Sequence, residues 1–125
     1  MNESRKLRVL VVEDEEDVRT VIRGALEARG CDVVTAEDGV EGLEAIDVQP
    51  FDAVVTDVQM PRRDGLWLWR EAILVRPELA GRFVFISGYP WGADGGVERE
   101  RFLSKPFTMS QMWAEVAAVT RKPPA

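Results

Sequence analysis

Short, β-branched, almost continuously apolar segments alternate along this chain with stretches whose apolar residues recur at three- and four-residue steps. That alternation leaves few folds open. A strand that is apolar at every position must be covered on both faces, which a parallel sheet layered between helices achieves. The strand candidates are "LRVLVV" (7–12), "CDVVTA" (31–36), "DAVVTD" (52–57), "RFVFIS" (82–87) and the shorter "RFLS" (101–104). Between them, Val18, Val21, Ile22, Ala25 and Leu26 form a helical stripe that Gly30 stops. Val40, Leu43 and Ile46 predict a short helix weakened by Gly39 and Gly42 and closed before Pro50. "GLWLWREAILVR" begins at Gly65 and ends at Pro77. The last helix carries a capping box, Thr108 with Gln111, and Phe107 and Met112 at the staple positions; Met112, Val116 and Val119 then face inward.

Parallel strands joined by helices require right-handed crossovers, and five such units wind most often in the order 2-1-3-4-5. The expected fold is therefore α/β: a doubly wound, five-stranded, flavodoxin-like parallel sheet. The stretch 88–100, "GYPWGADGGVERE", fits this plan badly, with four glycines and one helix-compatible aliphatic residue, Val97. It predicts a loop with at most one helical turn, so the fourth helix is shortened or irregular. With 125 residues the chain suits one domain over 7–121, with a tail at 1–6 and a tail or linker start at 122–125.

Charge and composition remove several functions. A net charge of −6 argues against a nucleic-acid surface, which needs a basic stripe. No apolar run exceeds that of Val9–Val12, so no membrane span is expected, and Met1–Lys6 lacks the apolar stretch of a secretory signal. A single cysteine, Cys31, makes no internal disulfide and suits a reducing, cytoplasmic setting, where it reads as a small core residue opening a strand. The absence of histidine removes most transition-metal sites and histidine-based nucleophilic catalysis.

The remaining chemistry rests on carboxylates, hydroxyls and lysine. In a doubly wound sheet the ligand crevice lies beyond the carboxyl ends of the strands, here between the first and the third. Glu13 and Asp14 end the first strand and Asp57 ends the third, so three acids converge on one crevice. Unrelieved, they repel and some hold protons. A hard divalent cation such as Mg²⁺ relieves this, since it takes oxygen ligands and leaves room for phosphate oxygens. Ser87 ends the fourth strand and Lys105 follows the fifth. A hydroxyl, an ammonium and a metal ion around one carboxylate suit phosphoryl transfer, in which the protein mainly positions groups and neutralises charge. Taken singly, Ser87 reads as a cap, Lys105 as a solvated charge and "EDEED" (13–17) as an acidic helix start; their joint placement carries the functional reading.

With these pieces in place, the sequence resembles the receiver domain of two-component response regulators over about residues 7–121. The resemblance rests on "VVEDE" (11–15), "TDVQMPRRDG" (56–65), "ISG" (86–88) and "SKPF" (104–107), in family order. It implies Asp57 as phosphoacceptor, with Asp14, Asp57 and the backbone carbonyl of Gln59 on Mg²⁺ and Glu13 acting through water. It further implies that Ser87 bonds the phosphoryl group, Lys105 neutralises it, and Gly88 lets its backbone N–H approach. A cis Lys105–Pro106 bond belongs to the same pattern. The implied donor is a phosphohistidine on a sensor histidine kinase or histidine phosphotransfer protein, outside these residues. The implied output is a switch in protein–protein interactions: Ser87 moves inward and Phe102 follows, although Phe102 also reads as a plain strand core residue. Such a chain is a self-modifying signalling module rather than an enzyme.

Two features depart from the family. Only 105 − 87 = 18 positions separate Ser87 from Lys105, a shortening that falls on the fourth helix. Trp67, Tyr89, Trp91 and Trp113 stand where receivers commonly carry polar residues, while Trp69 is expected to pack inward. Tyr89, Trp91 and Trp113 read either as an apolar patch for a downstream partner or self-association, or as aromatics folded back over bare core. Two other functions stay open on sequence alone. A pseudo-receiver would bind partners without phosphorylation. An aspartyl-phosphate phosphatase of the haloacid-dehalogenase type would need a second Asp where Gln59 stands. "SGYP" (87–90) and the Pro123–Pro124 ending are similar to receivers fused to hybrid sensor kinases.

Overall fold

The computed structural model describes residues 6–88 and 100–120. In chain order they form β1 (Arg8–Val12), α1 (Glu16–Ala28), β2 (Asp32–Ala36), α2 (Gly39–Val48), β3 (Ala53–Asp57) and α3 (Gly65–Val75). A 3₁₀ turn (Pro77–Leu79), β4 (Phe83–Ser87), β5 (Arg101–Ser104) and α4 (Met109–Thr120) follow. The strands make one parallel sheet in the order β2-β1-β3-β4-β5, as the alternating pattern predicts. Tyr89, Trp91, Val97, nearly all of the predicted 88–100 loop and the Pro123–Pro124 ending lie outside the described residues.

Each face of the sheet has its own core. Val9, Val11, Val55, Val84, Ile86 and Leu103 pack under α1 and α4 through Ile22, Leu26, Met112, Val116 and Val119. Leu10, Val12, Val54, Phe83 and Phe85 pack under α2 and α3 through Ile46, Leu68, Trp69 and Ala72. Successive strand side chains point to opposite faces, so the continuous apolar runs fill both layers. The capping box of α4 forms as expected: the Gln111 N–H donates to Thr108 Oγ1, and the Thr108 N–H to Gln111 Oε1.

Two expectations change. Val21 belongs to the apolar stripe of α1 in sequence, yet it is 55% exposed, because only the Ile22 and Leu26 line of that helix meets the sheet. Gly39 and Gly42 weaken α2 by propensity, but they permit its position. A β-carbon on Gly39 would collide with the Arg63 carbonyl oxygen, and one on Gly42 would press on Leu68 and Val12. Close packing outweighs the helix propensity of about 1 kcal/mol lost at a glycine.

Glu100, not singled out in the sequence, is buried just before β5. Its Oε2 accepts from Trp69 Nε1 (2.9 Å) and the Gly81 N–H (2.7 Å), and its Oε1 from the Phe83 N–H (2.8 Å). A buried carboxylate is tolerated because these donors replace water. It ties α3 and the entry to β4 to the start of β5. Glu100→Ala leaves three donors without an acceptor, at about 1–3 kcal/mol each. Chemical denaturation should show a loss of at least about 3 kcal/mol, with Glu100→Gln losing less; equal stability of Glu100→Ala and wild type would contradict this assignment.

Candidate functional site

Strand register assembles the site. Val12 pairs with Thr56 across β1 and β3, so the next residues, Glu13 and Asp57, emerge side by side at the carboxyl edge. Asp57 pairs with Ile86, and Ser87 with Ser104, which brings Lys105 to the same edge. Alternation divides these side chains. Glu13, Asp57 and Lys105 follow Val11, Val55 and Leu103 of the α1/α4 face, whereas Ser87 follows Phe85 on the α2/α3 face.

Glu13, Asp14 and Asp57 each place a carboxylate oxygen within 4.8 Å of the others. Glu13 is completely buried and Asp57 is 6% exposed. Lys105 Nζ meets Asp57 Oδ2 at 2.8 Å, and the Gln59 N–H donates to Asp57 Oδ1 at 3.2 Å. Glu13 Oε2 accepts from the Glu15 N–H at 3.1 Å, while Oε1 is buried with no hydrogen-bond donor among the described residues. A fully buried oxygen without a donor is costly. Burial pushes the Glu13 carboxyl up from 4.5 to about 8; the Glu15 N–H pulls against this, the Asp57 carboxylate adds to it, and the Lys105 ammonium opposes it. For Lys105, burial favours the neutral amine, but the hydrogen bond and charge of Asp57, aided by Glu13 and Glu15, outweigh it and raise its pKa.

These donors fit a small hard cation. All three offer oxygen, they stand close enough to share one ion, and one buried oxygen has no hydrogen-bond donor among the described residues. Asp14, Glu15, Asp57, Gln59, Gly88 and Lys105 line a cleft of about 410 Å³ over them, roomy enough for an anion beside a cation.

The structure thus gathers Glu13, Asp14, Asp57, Gln59, Gly88 and Lys105 at one edge. A β-carbon at Gly88 would meet no atom of the described residues within 4 Å, and Gly88 lines the cleft, so its lack of a side chain helps keep the cleft open. Ser87 is buried at the end of β4 and is not part of the cleft wall. Phe102 is half-buried, with its ring stacked on Phe85 at 5.1 Å between centroids, on the face that Ser87 shares. The Lys105–Pro106 bond is cis. Of the expected aromatic patch only Trp113 lies within the described residues. It is half-buried against the α1/α4 core, and the Arg29 guanidinium lies 5.3 Å from its ring centre. Trp69 packs inward, and Trp67 is half-buried beneath Arg63. Glu15, unassigned in the sequence, is exposed and borders the cleft; the run "EDEED" held that signal, but not which of its acids reach the cleft.

Comparison with known proteins agrees with this geometry. Residues 9–117 match the response regulator receiver domain. The response regulator receiver protein CpdR of Brucella abortus (strain 2308) is 34% identical, over 87% of this chain and 92% of CpdR. Response regulator MprA of Mycobacterium sp. (strain KMS) is 35% identical over 93% of this chain; the chain spans only 51% of MprA. Among solved structures, the receiver domain from hybrid histidine kinase CckA superimposes with a TM-score of 0.77 at 35% identity, covering 90% of this chain and 98% of that one.

The buried acid leaves a mark on stability. In metal-free buffer Glu13 keeps its proton in the folded chain up to about pH 8, whereas the unfolded chain releases it near 4.5. Between these values the folded state binds more protons, so its stability falls as pH rises. The wild-type melting temperature in chelator should therefore fall more steeply from about pH 5 to about pH 8 than that of Glu13→Gln. Parallel profiles would mean that Glu13 is already ionised when folded.

Proposed function

The chain belongs to the response regulator receiver domain family of two-component signalling, and on that premise we propose that it is a Mg²⁺-dependent phosphoacceptor in which Asp57 takes a phosphoryl group from a partner phosphohistidine. The observation that carries this reading is the environment of Asp57, with Glu13 and Asp14 on one side and Lys105 Nζ at 2.8 Å on the other. Glu13, Asp14 and Asp57, with the Gln59 carbonyl, would hold Mg²⁺, Glu13 acting through water. The bound ion supplies neutralisation of the acids and of the incoming phosphoryl oxygens.

An Asp57 carboxylate oxygen attacks phosphorus as the phosphorus–nitrogen bond of the donor breaks, and the imidazole nitrogen leaves with the electron pair. Lys105 follows the developing negative charge. The Gly88 N–H bonds the transferred oxygens, and the Ser87 hydroxyl, outside the cleft wall before transfer, moves inward to bond them once the phosphoryl group is in place. Water later attacks the acyl phosphate, releasing inorganic phosphate and restoring the carboxylate. These residues contain no histidine, so the donor is a sensor histidine kinase or histidine phosphotransfer protein acting from outside them. An apolar groove of about 570 Å³ opens beside the cleft between α1 and the β5–α4 connection, with Val18, Val21, Phe107 and Met109 in its wall and Lys105 at its edge. A donor seated there presents its phosphohistidine to Asp57, which gives exposed Val21 a use. Engagement of Ser87 with the phosphoryl group draws on the β4 end, and Phe102, on the same face, reports it through its stack on Phe85.

Incubation with acetyl phosphate and Mg²⁺, followed by intact mass, tests the proposal. The wild type should gain one phosphoryl group, Asp57→Asn none, and chelation of Mg²⁺ should abolish the gain. An equal gain in wild type and variant, or no gain in either, would overturn it.

A further inference from the structure

The loop between β3 and α3 carries Gln59 past the site and is fastened at both ends. The Val58 N–H donates to the Ile86 carbonyl, and the Gly65 N–H donates back to the Val58 carbonyl, so residues 59–64 form one short excursion. At its far end Asp64 caps α3 by accepting from the Trp67 N–H. Its middle would be free to shift but for a second set of contacts that the phosphoryl chemistry does not use.

Arg62 has a positive φ of 67°, a left-handed conformation uncommon for a residue with a β-carbon. Its Nε meets Asp38 Oδ2 at 3.0 Å, and that carboxylate is 10% exposed. Asp38 Oδ1 accepts from the Glu41 N–H, which caps α2. One residue on, the Arg63 carbonyl accepts from the Gly39 N–H at 2.9 Å, and only a glycine fits there. The Arg63 guanidinium lies 5.2 Å from the centre of the Trp67 ring on α3. Consecutive arginines thus tie the loop to both helices beneath it.

We propose that Asp38 and Arg62 are positioning residues for the metal site: their ion pair holds the 59–64 loop against the start of α2 and so fixes the Gln59 backbone over Asp57. The Arg62 side chain is 58% exposed, so the pair adds little to global stability. Its effect is local, because it selects one geometry of a short loop whose first residue, Gln59, already donates its N–H to Asp57 Oδ1. Groups outside the ligand set commonly tune metal affinity in this way. The inference rests on the Mg²⁺ reading above.

The test is calorimetric titration with Mg²⁺ alone of wild type, Arg62→Gly, Asp38→Asn and the double variant, with melting temperatures taken in parallel. Glycine accepts the positive φ and asparagine still caps α2, so each single change removes the ion pair and little else. Each single variant should bind Mg²⁺ about tenfold more weakly, the double variant no more weakly than either, and melting temperatures should match the wild type. Wild-type affinity in the single variants, losses that add in the double, or weakening that tracks a fallen melting temperature would each overturn the proposal. A wild type that binds no Mg²⁺ at all would overturn the metal reading and this inference together; the wild-type trace alone separates that failure from the others.

Discussion

Parallel pairing of β1 with β3 forces Glu13 against Asp57, and most of what surrounds this pair is a response to that contact. The Val12–Thr56 register leaves the next two side chains nowhere else to emerge. Asp14 joins them at the rim, and each of the three places an oxygen within 4.8 Å of the others. In water such crowding would cost little; at the end of a buried strand, repulsion is weakly screened. The folded chain answers partly with Lys105 on Asp57 and partly by keeping Glu13 protonated. Neither gives Glu13 Oε1 a hydrogen-bond donor among the described residues. A divalent cation would answer all three acids at once and leave Lys105 free to follow a phosphoryl group.

Rigid surroundings make such crowding sustainable. β1, β3 and β4 are covered on both faces by apolar layers, so the strand tips cannot drift apart to relieve the acids. Glu100 performs a related task at the other end of the sheet, where three N–H groups hold a buried carboxylate that ties β4, β5 and α3 together. That clasp sits two residues before Phe102, whose ring stacks on Phe85. The aromatic on the face of Ser87 is therefore carried by a strand whose start is held in place.

The features legible in the sequence are those decided by neighbours along the chain. All five strands show as short apolar or β-branched runs, the α4 cap as Thr108 with Gln111, and the acids, Ser87 and Lys105 as polar residues placed at or just past the ends of strands 1, 3, 4 and 5. Features that depend on distant neighbours were hidden. Val21 continues an apolar stripe, and only the packing of α1 on the sheet through Ile22 and Leu26 shows it facing out. Gly39 looks like a helix weakness until the Arg63 carbonyl is found against it. Glu100 looks like one more surface acid in "VERER", although three donors from 17 to 31 positions away enclose it. Glu15 at the cleft rim and the Asp38–Arg62 pair were hidden likewise, since nothing local distinguishes a charge that meets a distant residue from a wholly solvated one.

Protons released on metal binding test the central claim most directly. Calorimetric titration of Mg²⁺ at neutral pH in two buffers of different ionisation enthalpy counts them. If the crowded acids receive the ion, Glu13 must surrender its proton, so the wild type should release about one proton per ion bound and Glu13→Gln none. Binding without proton release in the wild type, or release undiminished in Glu13→Gln, would contradict the account.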